Sequence, residues 1–166
     1  MARRAADTGS SLKRVHRRYQ DPQAELRARA LRLLGRRDYS RSELAQRLAP
    51  GTEGTEEVNL LLDEFERCGW LSEQRVAEQL VRAAAGRFGS CKVAQQLVAR
   101  GVSEAVANEV LAGLREADLE NGRRALRRRF PAAPANEADR SRQGRFLAGR
   151  GFTEDVIERL LGTSQA

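Results

Sequence analysis

The sequence predicts an all-α protein: three tandem three-helix repeats in an elongated, curved arrangement. Three observations carry that expectation. Apolar residues recur at i, i+3, i+4 and i+7 in segment after segment, the pattern of one buried helical stripe, and no segment alternates with period two. A block of about fifty residues is present three times, the mark of a repeat architecture. Capping residues and prolines fall between the stripes rather than inside them.

The first repeat spans residues 22–71, with helices starting near Ala24, Ser40 and Thr55. Pro22 lies just ahead of Ala24, Ala28, Leu31 and Leu34, where a missing N–H does least harm. Ser40 and Glu43 have the spacing of a capping box, in which hydroxyl and carboxylate each satisfy a free backbone N–H. Val58, Leu61, Leu62 and Phe65 form the third stripe. The second repeat, 72–117, starts its helices near Ser72, Ser90 and Ser103. Its outer stripes are Val76, Ala77, Leu80, Val81 and Ala84, then Val106, Ala107, Val110, Leu111 and Leu114. The third repeat, 118–166, starts near Asp118, Asn136 and Thr153 and ends on Val156, Ile157, Leu160 and Leu161. It is the most irregular: Gly122 is expected to interrupt its first helix, and Pro131 and Pro134 lie in a longer link. Residues 1–21 read as a basic, flexible tail.

The register of the repeat is residue by residue. Leu97, Arg100, Gly101, Glu104 and Val106 return as Leu147, Arg150, Gly151, Glu154 and Val156, with Ser103 becoming Thr153 and Val102 becoming Phe152. The serine and threonine suit an N-cap and the apolar pair a staple position. Gly101 and Gly151 follow helical ends, where a left-handed cap favours a residue without Cβ. Further upstream, Tyr39 pairs with Phe88 and Leu48 with Leu97. Units this small have small cores, so neighbours are expected to share apolar surface.

Composition removes several chemistries. The 166 residues hold 30 basic and 23 acidic groups, net +7, against eight aromatics. Residues 1–37 carry +8, 38–120 carry −6, 121–150 carry +7 and 151–166 carry −2. Lys13 and Lys92 are the only lysines, so the basic surface is arginine, whose planar fork suits phosphate or carboxylate. No apolar run is long enough for a membrane span, and the Arg-rich first twenty residues lack the apolar segment of a secretory signal; a cytoplasmic location is expected. Cys68 and Cys91 are too far apart for a thiol or zinc motif and read as small buried hydrophobes. His16 is the single histidine, in the basic tail, and no phosphate-cradling glycine loop is present. Glu56, Glu57, Asp63, Glu64 and Glu66 read as helix-dipole and solvated carboxylates rather than a metal site. An enzyme is not expected, and neither is a cofactor or a metal.

Several motifs resemble the RecX family of recombinase regulators: Ala30-Leu31-Arg32-Leu33-Leu34; Arg37-Asp38-Tyr39-Ser40-Arg41-Ser42-Glu43-Leu44 with Leu48; Gly69-Trp70-Leu71; Arg75-Val76-Ala77; the Gly89–Gly101 stretch with Gln96-Leu97; and Arg145-Phe146-Leu147 with Arg150-Gly151-Phe152. The resemblance covers roughly 24–161. It implies tandem three-helix repeats that bind the RecA recombinase filament on single-stranded DNA, lodge in its groove and restrain its activities in recombination, repair and the SOS response. Where the family commonly has two acidic residues after the Gly-aromatic-Leu step, Ser72 and Glu73 stand here; where it often has Pro after the glycine matching Gly89, Ser90 stands and can cap equally well.

The candidate contact residues for partner or nucleic acid are Arg36, Arg37, Arg41, Arg75, Arg87, Lys92, Arg123, Arg124, Arg127, Arg128, Arg129, Arg142, Arg145 and Arg150. A basic block of this kind can face DNA phosphate or the acidic surface of a protein. Arg123, Arg124, Arg127, Arg128 and Arg129 fall on more than one helical face, with no comparable acidic run nearby to neutralise them. Tyr39, Trp70, Phe88 and Phe146 could stack bases but read as core at helix junctions. The rival reading is a helix-turn-helix-like protein that binds duplex DNA directly. Against it, the third helices carry more acid than base, which is poor chemistry beside phosphates. Beside the filament, weak direct DNA contact is expected, with no membrane and no small-molecule substrate.

Overall fold

The computed structural model describes residues 21–52 and 54–162, which form eight helices and no strand. They are α1 (Pro22–Leu34), α2 (Arg41–Leu48), α3 (Thr55–Arg67), α4 (Glu73–Ala84), α5 (Ser90–Ala99), α6 (Glu104–Arg129), α7 (Glu137–Gly149) and α8 (Glu154–Leu161). The expected tail, with His16, lies outside the described residues except for Asp21. That aspartate caps α1, its side chain accepting from the Gln23 N–H, and Pro22 is the first helical residue, where its fixed φ is already helical.

Three separate apolar clusters hold the row together. Leu26, Ala30, Leu44, Leu48, Leu62 and Phe65 centre the first, within α1–α3. Val76, Ala77, Val93, Leu97, Leu111 and Leu114 centre the second, within α4, α5 and the first half of α6. Ala125, Leu147, Phe152 and Val156 centre the third, between the second half of α6, α7 and α8. Each fully buried leucine or phenylalanine contributes about 1.5–3 kcal/mol by leaving water. Helix packing closes within each cluster, and α6 alone belongs to two.

That shared helix differs from the expected layout. A new helix was expected near Asp118 and a break at Gly122, yet α6 runs unbroken for 26 residues. Gly122 is buried, and a Cβ there would stand 2.5 Å from Leu160 Cδ1 and 3.7 Å from the Phe152 ring. Its small size lets α8 lie close against α6, and that packing outweighs the helical cost of glycine, about 1 kcal/mol relative to alanine.

The joints between units are polar, where shared apolar surface was expected. In each, the start of one unit's second helix abuts the end of the next unit's second helix. The Ser40 hydroxyl at the head of α2 donates to the Arg100 carbonyl at the tail of α5. At the head of α5, the N–H groups of Gly89 and Cys91 donate to the carbonyls of Arg150 (2.9 Å) and Gly151 (3.2 Å) beyond α7. Carbonyls at the end of one helix therefore meet donors at the start of another. Gly101 (φ +64°) and Gly151 (φ +80°) make the approach possible: a Cβ on Gly101 would sit 2.6 Å from Ser42 Cβ, and one on Gly151 2.6 Å from Lys92 Cβ.

Several side chains depart from their expected places. Cys68 and Cys91 are exposed rather than buried. Trp70 is 45 % exposed, resting edge-on against Phe65 at 5.3 Å, while Tyr39 is buried as expected. Ser40 caps the Glu43 N–H at 3.1 Å, but the Glu43 carboxylate turns to Arg37 instead of back to the cap, so half of the box forms. Ser103 and Thr153 make no side-chain cap bond; the Ser103 N–H is met instead by Glu73 Oε2 at 3.0 Å. Ser90 is the first residue of α5 rather than its cap.

Candidate partner and nucleic-acid interface

The joint between the second and third units is built around buried polar groups. Asp118, 1 % exposed, points from α6 at the head of α5 and accepts from the Ser90 N–H with both oxygens (3.1 Å each) and from the Ser90 hydroxyl (2.6 Å). It acts as an N-cap after all, but for a neighbouring helix rather than its own. Burial pushes its carboxyl above the usual range, and the Ser90 bonds and the Arg115 charge offset only part of that. One turn further along, the Asn121 side-chain oxygen accepts from the Gly86 N–H at 2.8 Å.

Around this joint the basic side chains alternate with aromatic rings. The Arg87 guanidinium lies over Phe88 (5.5 Å), Arg150 over both Phe88 (5.5 Å) and Phe146 (4.4 Å), and Arg129 and Arg142 over Phe130 (5.4 and 5.6 Å). Phe130 and Phe146 meet edge-to-face at 5.3 Å, which closes a continuous ladder from Arg87 to Arg129 and Arg142. Arg150 also donates to the Arg87 carbonyl at 3.1 Å. Stacking on a ring fixes a guanidinium without neutralising it, so its N–H groups remain available to phosphate or carboxylate. The three phenylalanines are half-buried, part core and part surface.

The fourteen basic residues singled out in the sequence divide by what they touch. Arg37 forms a bidentate pair with Glu43 (2.9 and 3.0 Å) and stacks on Tyr39 at 3.7 Å. Arg41 bridges Asp63 and Glu66, both at 2.7 Å. Arg75 pins the first joint, bonding Asp38 at 3.0 Å and the carbonyls of Gly69 and Trp70. These three hold the fold. Arg123, Arg124 and Arg127 converge on Glu120 at 3.7, 3.0 and 3.2 Å, so one carboxylate partly neutralises a cluster that showed no acidic run nearby; spacings of three, four and seven place all four on one face. Lys92 is half-buried against Gly151. Arg36, Arg128 and Arg145 are exposed and have no ion pair among the described residues. Arg142 adds a pair with Asp139 at 3.0 Å. The ladder therefore forms one surface at the second joint, with the exposed Arg128 and Arg145 next to its members in sequence, and Arg36, Arg37, Arg41 and Arg75 belong to the first unit and its joint.

Sequence reasoning found the arginines of the ladder with Phe88 and Phe146 separately, but neither Phe130 nor the stacking, which depends on the joint bringing Phe88 to Arg150. It also took Asp118 only for a helix start and passed over Asn121. Two short polar residues at helical spacing inside an otherwise apolar face were the available signal.

The α3 face and the first half of α6 are acidic where exposed, through Glu56, Glu57, Asp63 and Glu66 and then Glu104, Glu109 and Glu116. Among the described residues no cluster of three or more His, Cys, Asp or Glu side chains is placed to hold a metal, and no helix is long and apolar enough to cross a membrane.

Small three-helix units in a row, polar joints and a guanidinium–aromatic surface define a helical-repeat protein. Residues 72–111 match the second three-helix domain of RecX and residues 116–161 the third. Two relatives called regulatory protein RecX, from Chromobacterium violaceum and Leptothrix cholodnii, are 43 % and 39 % identical over 136 and 140 residues. The matches cover 82 % and 84 % of this chain and 88 % and 89 % of theirs. The chain belongs to the RecX family of regulatory proteins. A crystal structure of RecX from Lactobacillus salivarius shares the fold with a TM-score of 0.70 at 16 % identity, covering 85 % of this chain and 95 % of that one. A second RecX crystal structure gives 0.69 at 19 % identity, covering 96 % and 80 %.

Proposed function

We propose that this protein is a non-catalytic cytoplasmic regulator that docks along the RecA filament on single-stranded DNA and restrains it in recombination, repair and the SOS response. The observation that carries this reading is the ladder of stacked, still-charged arginines on a row of jointed helical units, a surface suited to a repeating anionic partner. The units would span neighbouring protomers as a curved rod, so that the bound state opposes conformational change or protomer addition. Arg87, Arg128, Arg129, Arg142, Arg145 and Arg150 would meet acidic recombinase surface or DNA phosphate, and the acidic α3 face would meet basic filament loops.

The test is RecA ATPase on single-stranded DNA with this protein titrated in, beside its affinity for bare DNA. Sub-stoichiometric inhibition with weak bare-DNA binding supports the filament reading. Tight, sequence-specific binding to naked duplex selects the helix-turn-helix alternative, which the acid on the third helices disfavours.

A further inference from the structure

On the first unit, α1 and α3 lie side by side and leave an open groove between them. A cleft of about 380 Å³ runs over Ala24, Leu26 and Arg27 of α1 and Leu60 and Leu61 of α3. A second, of about 440 Å³, shares Leu26 and Glu57 with it and continues past Pro22 to Gly51. Leu26 and Leu61 form a buried apolar lining, and Leu60 stands at the edge, 62 % exposed. Arg27 links the groove to Trp70, whose ring centroid lies 5.7 Å from its guanidinium. Leu31 is exposed one turn along α1 from Arg27. Of the four large apolar side chains exposed among the described residues, Leu31, Leu60 and Trp70 thus belong to this one unit. Apolar surface gathered in this way marks an interaction site, where singly scattered residues do not.

The charge left open around the groove is negative. Arg27 is engaged by both Glu64 oxygens (2.6 and 2.7 Å), and Arg29 by the carbonyls of Leu48 (3.3 Å), Pro50 (2.6 Å) and Arg47. Glu25 and Glu57 line the cleft at Gly51, are exposed and have no ion pair among the described residues. Asp21 adds a third carboxylate at the other cleft. We infer that this groove docks a basic amphipathic helix of a partner protein, with apolar side chains on Leu26, Leu60 and Leu61 and flanking Lys or Arg paired with Glu25 and Glu57. A helix fits because a groove between two packed helices takes the ridge of a third. It also brings its main-chain groups already paired. An extended segment would need a strand edge, and the described residues have none. Nucleic acid does not fit, since open carboxylates beside phosphate repel. This contact is separate from the ladder, and it requires neither the filament nor DNA.

Trp70 is the only tryptophan of the chain, so its emission reports on this face in the whole protein. The probe is a synthetic Leu/Lys peptide of about eighteen residues, five turns, with its leucines at i, i+3, i+4 and i+7. At low salt it is expected to change the emission saturably, with about micromolar affinity, and to bind less tightly as salt rises. Leu60→Ser should weaken binding about tenfold or more, and Glu25→Lys with Glu57→Lys likewise, while circular dichroism and the urea midpoint show the fold retained. The doubly reversed protein should instead bind the Leu/Glu counterpart of the peptide, which the unaltered protein does not. The absence of a saturable change overturns the inference, as does equal affinity for a peptide of the same composition with its leucines scattered. So does an affinity that neither variant moves. Emission that shifts with the protein's own concentration, without peptide, assigns the groove to a second copy and overturns it too.

Discussion

Replacing Gly89 with alanine tests whether the polar joint holds the second and third units together. The residue has φ −87° and ψ 168°, open to any amino acid, so the substitution brings no backbone strain. Its Cβ, however, would fall 2.6 Å from the Gly151 carbonyl carbon and 2.7 Å from the Phe152 nitrogen, and closer still to the Gly151 oxygen. All three are main-chain atoms and cannot rotate aside, so the units must part. Parting removes the Gly89–Arg150 and Cys91–Gly151 bonds, about 1 kcal/mol each, and weakens the charge-assisted Ser90–Asp118 contact, about 2 kcal/mol. With partial relaxation the expected loss is about 2–4 kcal/mol, a large part of a typical total stability. Urea unfolding reads it as a lower midpoint. Gly113→Ala is the control: it lies exposed within α6 with nothing within 4 Å of its Cβ, and should stabilise by about 0.5–1 kcal/mol. If Gly89→Ala unfolds within about 0.5 kcal/mol of the unaltered protein, the joint contributes no stability and the reasoning fails.

Three further outcomes follow from the same contacts. Asp118→Ala leaves the buried Ser90 donors without an acceptor and should cost about 2–4 kcal/mol in urea unfolding, whereas Asp118→Asn keeps one acceptor and should cost less. Because Asp118 is raised in the fold, its ionisation opposes folding; its contribution falls as pH rises past the unfolded value towards the folded one, and Asp118→Asn should remove that part of the profile in a thermal-unfolding series. Glu43 behaves oppositely: burial pushes it up, but the Arg37 hydrogen bonds and charge prevail and hold it below its ordinary 4.5. Its stabilisation is complete above that value and lost as pH falls through the folded value, so Glu43→Gln should cost about 1 kcal/mol at pH 7 and little in acid. In the RecA ATPase titration, Arg128→Glu with Arg129→Glu should weaken inhibition about three- to tenfold, and Glu120→Ala, which releases Arg123, Arg124 and Arg127, should strengthen it; unchanged titrations would remove this surface from the interface.

Helical class and most element starts were legible because they depend on neighbours three and four residues apart, as Val58, Leu61, Leu62 and Phe65 show. The glycines at 101 and 151 were legible too, since a left-handed cap restricts residue type locally. Gly122 was misread because its glycine answers to Leu160, thirty-eight residues away, and not to its own helix. Asp118 was placed at a helix start by its residue type, which is right chemically, but its donors belong to α5. Cys68 and Cys91 were expected inside on average tendency alone; Cys68 continues the α3 spacing but is the C-cap beyond its end, and Cys91 lies off the Val93–Leu97 stripe of α5. Of the basic surface, the sequence supplied positions and charge; which arginines are consumed by Glu43, Asp63 or Asp38 depends on how distant helices meet, and that left no trace in spacing.

The unbroken α6 also has a mechanical meaning. At 1.5 Å per residue it is a strut about 39 Å long running through two of the three bodies. Twisting or flexing the back two-thirds of the molecule would mean bending a hydrogen-bonded helix. The front body hangs from the rest by Cys68–Ser72 and a few side-chain bonds, so compliance concentrates there. A partner whose pitch changed during its working cycle would find one end of this protein yielding and the other stiff, and strain would collect at Arg75 and Asp38.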